Sequence, residues 1–207
     1  MSYTVTEESF DWFTSYWKDQ GHELSWDIPF ILPPWLKVWR QSFAPEITPH
    51  FLAVRQENRV TGIAPLLIKD RVASIIGSPD VCDYADFIVA PRKERDFFQT
   101  LLEDLKHRGV NLLDLRSIRP DSTAVSNLVD TAQNLGYKVS CQQDDISLEV
   151  DLPPTWDEYL QLLTSKQRHE VKRKLRRLEE AGNIDYAVID KAESVPEFMD
   201  VFLRMFV

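Results

Sequence analysis

The chain opens with apolar residues at helical spacing. In "TEESFDWFTSYWKD" Phe10, Phe13 and Trp17 recur at steps of three and four, which predicts a helix with Thr6 or Ser9 as its N-cap. "PPWLKVWRQSF" predicts a second helix: its prolines suit a first helical turn, and Trp35, Val38 and Trp39 share one face. From His50 the period shortens to that of strands. "HFLAVRQ" and "VTGIAPLLIK" flank the polar Glu57-Asn58-Arg59 and predict a hairpin, and "RVASIIGS" and "YADFIVA" predict two short strands. "RKERDFFQTLLEDLKHRG" returns to the helical period, with Phe97, Leu101, Leu102 and Leu105 inward and Gly109 as terminator. A buried-type strand over "VNLLDLRS" follows, then a helix over "DSTAVSNLVDTAQNLG", capped by Asp121 or Ser122 and stopped by Gly136. "YKVSCQQ" and "DISLEVD" read as two closing strands.

Pro153-Pro154 breaks this pattern. Thr155-x-x-Glu158 has the form of a capping box and starts a helical region that runs to Gly182. Thr164-Ser165 interrupts that region with a second N-cap, so two helices meeting at a corner are expected. A strand-like "IDYAVID" and a helix start, "SVPEFMDVFLRMFV", come last, and the apolar pattern is still running at Val207, which reads as a truncated chain. The expectation is therefore an α/β protein with a mixed, twisted sheet of six or seven strands flanked by helices. It divides into a compact unit over 1–152, a basic helical connector over 153–182, and the beginning of a second domain over 183–207.

Composition narrows the function classes. The 207 residues are 43% hydrophobic and 11% aromatic, enough for a sizeable core. With 24 basic and 33 acidic residues the net charge is −9, which argues against a general nucleic-acid binder, and no DNA partner is expected. Two cysteines, Cys82 and Cys141, without CxxC spacing predict free thiols and a cytoplasmic protein. The acidic N-terminus is unlike a signal peptide, and no apolar run is long enough to span a bilayer. The six glycines stand more than ten residues apart, so neither a P-loop nor a dinucleotide fingerprint exists. G-x-S-x-G and HExxH are absent, the four histidines are scattered, and no metal site is expected.

Charge then singles out one stretch. "TSKQRHEVKRKLRRL" carries seven Lys and Arg against one acid, Glu170; the rest of the chain holds 17 basic and 32 acidic residues. At about 100° per residue Leu160, Thr164, Val171, Leu175 and Leu178 form one stripe and all seven cations lie outside it. Arg168/Lys172, Lys172/Arg176 and Arg173/Arg177 are like-charge i,i+4 pairs, each costing the helix about 0.2–0.5 kcal/mol. A solvated face and an anion-recognition helix both fit these facts. The loop "GSPDVCDYADF" is a second candidate: Asp83, Tyr84 and Asp86 suit hydrogen bonding to a polyol or amine acceptor, or a plain turn around Pro-Asp.

The order of two helices, four strands, helix, strand, helix and two strands resembles a GNAT acetyltransferase domain after its first strand. "IPFILPPWLKVW", "GIAPLLI", "GSPDVCDYADFIV" and "TSKQRHEVKRKLRRLEEAG", in that order, resemble the CelD-type acetyltransferase-like family of exopolysaccharide biosynthesis, related to FemAB-type aminoacyltransferases. The likeness covers roughly residues 29–191. It implies two GNAT-like halves in tandem, an acyl-CoA such as acetyl-CoA as donor, and an amine or hydroxyl acceptor. It also implies that the donor site belongs to the second half, beyond residue 207. Lys166, Arg168 and Arg173 match the "K-x-R…R" positions that border the cleft in related transferases, as binding groups for an anionic donor or substrate. No catalytic residue is identifiable. The place matching the family's pyrophosphate turn, "VAPRKERDFFQTLL", keeps Val89, Pro91 and Arg95 but has no glycine, which predicts a degenerate, structural module. A non-catalytic polyanion-binding scaffold, or a FemAB-like enzyme using aminoacyl-tRNA, are the alternatives.

Overall fold

The structure, a computed structural model, describes residues 2–19, 23–78, 80–144, 146 and 148–205. The chain divides into two compact units, Met1–Ile146 and Ser147–Val207. His22 and Pro79 lie outside the described residues.

The first unit begins with a strand that helical periodicity concealed. β1 spans Tyr3–Glu8, and Ser9 caps α1, Phe10–Lys18, by accepting a hydrogen bond from the Trp12 N–H. Of the two expected caps, Thr6 belongs instead to the strand. A short 3₁₀ turn, Pro29–Ile31, leads into α2, Pro33–Phe43. In α2 the inward face is Leu36 and Trp39, whereas Trp35 and Val38 stay exposed, so the expected face is rotated.

β2, Pro49–Gln56, and β3, Arg59–Lys69, form the expected hairpin, closed through Glu57 at a left-handed φ of 56°. β4, Val72–Ile75, and β5, Ile88–Val89, both pair antiparallel with β3. α3 spans Glu94–His107, and β6, Leu112–Leu113, pairs in parallel with β4. A π-helical turn, Ala124–Leu128, continues into α4, Val129–Asn134. The result is a six-stranded mixed sheet in the order β1-β2-β3-β4-β6, with β5 on β3.

β4 and β5 are two separate segments paired with β3. Ile75 lies opposite Leu66 and Ile88 opposite Ile63, so both pieces run along the same side of β3. Between them the Ile76 N–H bonds the Pro65 carbonyl at 3.0 Å, and beyond β5 the Ala90 N–H bonds the Thr61 carbonyl at 2.9 Å. A strand residue presents its N–H and C=O to the same neighbour, so the N–H that Pro65 lacks falls in this gap. An unbroken strand would leave a carbonyl unpaired there. The chain departs instead, and residues 77–78 and 80–87 form an excursion before pairing with β3 resumes.

Helices cover both faces of the sheet. On one, Phe13 stacks on Phe51 with centroids 4.5 Å apart, and Phe10 meets Phe51 edge-on at 5.6 Å. Arg55 closes this face, over the Trp12 ring at 5.4 Å and hydrogen-bonded to Glu8 at 2.8 Å. On the other face α3 inserts Phe97, Phe98, Leu101 and Leu105, all buried. Phe97 rests on bare backbone: a Cβ at Gly62 would stand 2.4 Å from the Phe97 ring and 3.0 Å from the Ile88 carbonyl oxygen. Two polar contacts tie α3 along β1. Near its start the Tyr3 hydroxyl bonds Asp96 at 2.6 Å, and burial together with that carboxylate holds the phenol up at about 12. At its end Arg108 bonds Glu7 and Asp104, each at 2.6 Å, and the hydrogen bond from Arg108 is the main cause holding the Glu7 carboxyl below its ordinary value.

Four strand expectations need correction. Only Leu112–Leu113 of "VNLLDLRS" is a strand, and Leu112 is exposed because β6 is the outer edge. The two closing strands do not form among the described residues: 137–144, 146 and 148–152 carry no regular structure, and Ile146, Leu148 and Val150 are exposed. A two-residue edge is too short a template for further pairing, whatever the alternation of the sequence. "IDYAVID" is likewise irregular, with Tyr186 exposed.

The second unit holds α5, Trp156–Leu162, α6, Ser165–Ala181, and α7, Val195–Arg204. Thr155 caps α5, and Thr164 forms a capping box with Gln167 that starts α6, so the interruption at Thr164-Ser165 is real. No described helix is long and apolar enough to cross a membrane.

Gly62→Ala tests the packing of α3. The buried Phe97 ring cannot swing aside, and the substitution should cost about 1–3 kcal/mol in urea unfolding. Adding Phe97→Leu should return part of that loss; equal stability of Gly62→Ala and the parent would refute the contact.

Candidate functional site

The excursion after β4 and the loop after β6 leave the sheet at the same end, because β4 and β6 are parallel. They are bound together there: the Ala85 N–H bonds the Ser117 carbonyl at 2.9 Å. In open sheets the loops beyond the carboxyl ends of parallel strands are the usual place for ligands.

Three residues of the excursion carry the candidate chemistry, and the structure separates them. Asp86 is buried and bonded internally, accepting from the Phe87 N–H at 2.8 Å, Thr123 N–H at 2.6 Å and Ala124 N–H at 3.1 Å. Ser122 takes the next donor, the Val125 N–H, at 3.1 Å. Together the two side chains satisfy the first three N–H groups of the helix that begins there, groups a helix cannot satisfy itself. Of the two expected caps Ser122 is used, while Asp121 pairs with Arg119 at 2.9 Å. Asp86 is thus the clamp that fastens the excursion to the helix. Asp83 is exposed, and Tyr84 is half-buried beside it.

Tyr84 is one end of an aromatic row. Its ring meets Phe30 edge-on at 5.3 Å, and Phe30 meets Trp35 edge-on at 5.1 Å. The Arg119 guanidinium carbon lies 5.4 Å from the Tyr84 centroid. Exposed Asp83 and half-buried Tyr84 therefore offer an acceptor and a hydroxyl-bearing ring, with Arg119, itself paired with Asp121, over that ring. Sequence reading missed Arg119 and Phe30. The available signal is "DLRSIRPDS", where Arg116 and Arg119 each stand two residues from an aspartate, Asp114 and Asp121, with which they pair.

The start of α3, the place expected to match the pyrophosphate turn, carries acids in its first turn. Arg92 has a left-handed φ of 67°, its N–H bonds the Glu94 side chain at 3.1 Å, and Lys93 bonds Gln56 at 3.0 Å. Glu94 and Asp96 occupy the first turn. Carboxylates already sit where a helix N-terminus would attract a phosphate.

The second candidate, α6, is described within its own unit. Its seven cations are not equivalent. Arg168 turns back to α5, donating to the Leu160 carbonyl at 2.8 Å and the Leu163 carbonyl at 3.1 Å, and so satisfies the end of that helix. Arg173 is paired with Glu170 through two hydrogen bonds of 2.5 and 2.8 Å, which lower the carboxyl and raise the guanidinium from their ordinary values. Lys174 lies 3.9 Å from the same carboxylate and Arg176 3.6 Å from Glu180. Lys166 and Lys172 have no ion-pair partner among the described residues, and Arg177 acts on Glu170 only at longer range. By helical angle Lys166 and Arg173 fall within about 20° of each other, whereas Arg168 points to the opposite side. Two of the three expected residues thus share a face of α6 itself, and the third does not.

No group of three His, Cys, Asp or Glu converges as a metal site among the described residues. Both cysteines are free, Cys82 buried and Cys141 exposed. No family model matches the chain, and no curated protein matches it.

Asp86→Ala tests the clamp. Two helical N–H groups lose a charged acceptor in a buried setting, which should cost about 2–4 kcal/mol in urea unfolding. Asp86→Asn should recover part of it. An unchanged midpoint for the alanine variant would show that the carboxylate holds nothing in place.

Proposed function

We propose that this chain is the leading part of a GNAT-type acyltransferase, cytoplasmic, whose first unit is a structural half without a donor site. The observation that carries the reading is β1. With that strand in front, the order becomes strand, two helices, four strand segments, helix, strand and helix around a mixed sheet with one parallel pair. This supplies the element missing from the sequence-based comparison with the GNAT fold; the irregular residues after α4 are where the chain departs from it.

The reaction is acyl transfer from acetyl-CoA or another acyl-CoA to an amine or hydroxyl, with an exopolysaccharide or cell-envelope precursor as the acceptor class. The acceptor heteroatom attacks the thioester carbonyl. A C–N or C–O bond forms, the C–S bond breaks, and the proton from the acceptor leaves with the CoA thiol. The donor binds outside residues 1–207, in keeping with the glycine-free, acid-filled start of α3. Lys166 and Arg173, on one face of α6, contribute charge-assisted contacts to an anionic group of donor or substrate. Asp83 and Tyr84, with Arg119 beside them, are the acceptor-side candidates.

One observation favours a second reading. If Glu94 and Asp96 at the α3 start reflect a loss of donor chemistry throughout the protein, the chain is a non-catalytic scaffold whose basic helix docks a polyanion.

Thiol release separates the two. In the complete protein, acetyl-CoA consumption should depend on an added amine or hydroxyl acceptor. Lys166→Ala with Arg173→Ala should raise the Michaelis constant about tenfold or more at low salt while leaving kcat near its parent value, and added salt should shrink the difference. Absence of acceptor-dependent thiol release would sink the enzyme reading.

A further inference from the structure

α6 has a second face, which the acyltransferase reading does not use. The helix is 17 residues, about 25 Å, long and buries none of them. Val171, Leu175 and Leu178 fall within an arc of about 60°. Leu175 is 40% and Leu178 53% exposed, so the stripe emerges into solvent beyond the first turn, where Arg168 holds α5. Lysines stand on either flank of the stripe, Lys172 about 95° to one side and Lys174 about 65° to the other. Lys172 has no internal partner among the described residues, and Lys174 has only its distant contact with Glu170.

We propose that this face of α6 lies on an anionic lipid surface. The chemistry selects the occupant. A phosphodiester chain would neutralise the lysines but leave the leucines in water, and an apolar protein surface would cover the leucines while stripping water from the cations. A bilayer carrying anionic headgroups accepts both at once. The leucines enter the boundary of the acyl region, and the long stems of Lys172 and Lys174 carry their ammonium groups outward to the phosphates. The net charge of −9 does not forbid this, because acids more than about 8–10 Å from the contact are screened at physiological salt. Lys166 and Arg173 point away from the surface, so this contact does not compete with the anionic group assigned to them above. The chain would then be a peripheral protein, resting on the bilayer without crossing it.

The test is co-sedimentation with vesicles. The protein should pellet at low salt with vesicles of mixed phosphatidylglycerol and phosphatidylcholine and not with phosphatidylcholine alone. Lys172→Glu with Lys174→Glu should lower the partition coefficient at least about tenfold, whereas Lys172→Arg with Lys174→Arg should keep it. Leu175→Ser with Leu178→Ser should weaken binding even at low salt, and Lys166→Ala with Arg173→Ala should have the smaller effect. Circular dichroism of each variant confirms that the helix is intact. Equal pelleting with neutral vesicles, an unchanged partition on charge reversal, or binding to a single-stranded oligonucleotide without binding to vesicles would each overturn the proposal.

Discussion

The packing of Phe97 against the bare backbone of Gly62 is the constraint on which the first unit is built. It lets α3 approach β3 to a distance that any Cβ at Gly62 would forbid. That approach seats Phe98, Leu101 and Leu105 in the core and brings both ends of α3 to β1. Tyr3 meets Asp96 at one end and Arg108 meets Glu7 at the other. The same glycine lies opposite Val89, where the interrupted pairing with β3 resumes. A few residues further along β3, Pro65 withholds the N–H that an unbroken strand would need. One strand therefore sets both the depth of the helix and the point from which the candidate loop departs.

That loop shows how a fold divides labour among similar residues. Asp83 and Asp86 are three residues apart and chemically alike. Asp86 faces the start of a helix and is consumed by three backbone N–H groups, while Asp83 faces solvent. α6 repeats the lesson with cations. Arg168 completes the end of α5, Arg173 is held by Glu170, and Lys166, Lys172 and Arg177 are left to face outward. Local concentration of positive charge in an acidic protein is thus partly structural and partly available for binding. The two faces to which binding is proposed point in different directions: Lys166 and Arg173 lie on one side of the helix, and Leu175 and Leu178 on the other.

Much of this was legible in the sequence where the pattern is local. α3, the hairpin of β2 and β3, and the corner at Thr164 follow from spacing and caps that need no distant partner. β1 was not legible, because its polar residues make sense only across the sheet. Thr6 and Glu8 serve Arg55, and Glu7 serves His50 and Arg108. The closing strands failed for the complementary reason: alternation in "DISLEVD" satisfies the strand period, but β6 presents only two residues as a template. At the candidate site Tyr84 was visible as an aromatic in a polar loop. Arg119 was not, because its stacking on Tyr84 depends on β4 and β6 being parallel, a property of topology and not of either loop.

We proposed that this sheet and its helices form a GNAT-type module without a donor site of its own. Titration of the 207-residue protein with acetyl-CoA, followed by calorimetry and by the backbone amide signals of Arg92–Phe97, tests it most directly. The account predicts no measurable heat at micromolar ligand and no shift of those amides, since Glu94 and Asp96 already occupy the first turn of α3. Micromolar binding that moves those amide signals would contradict it.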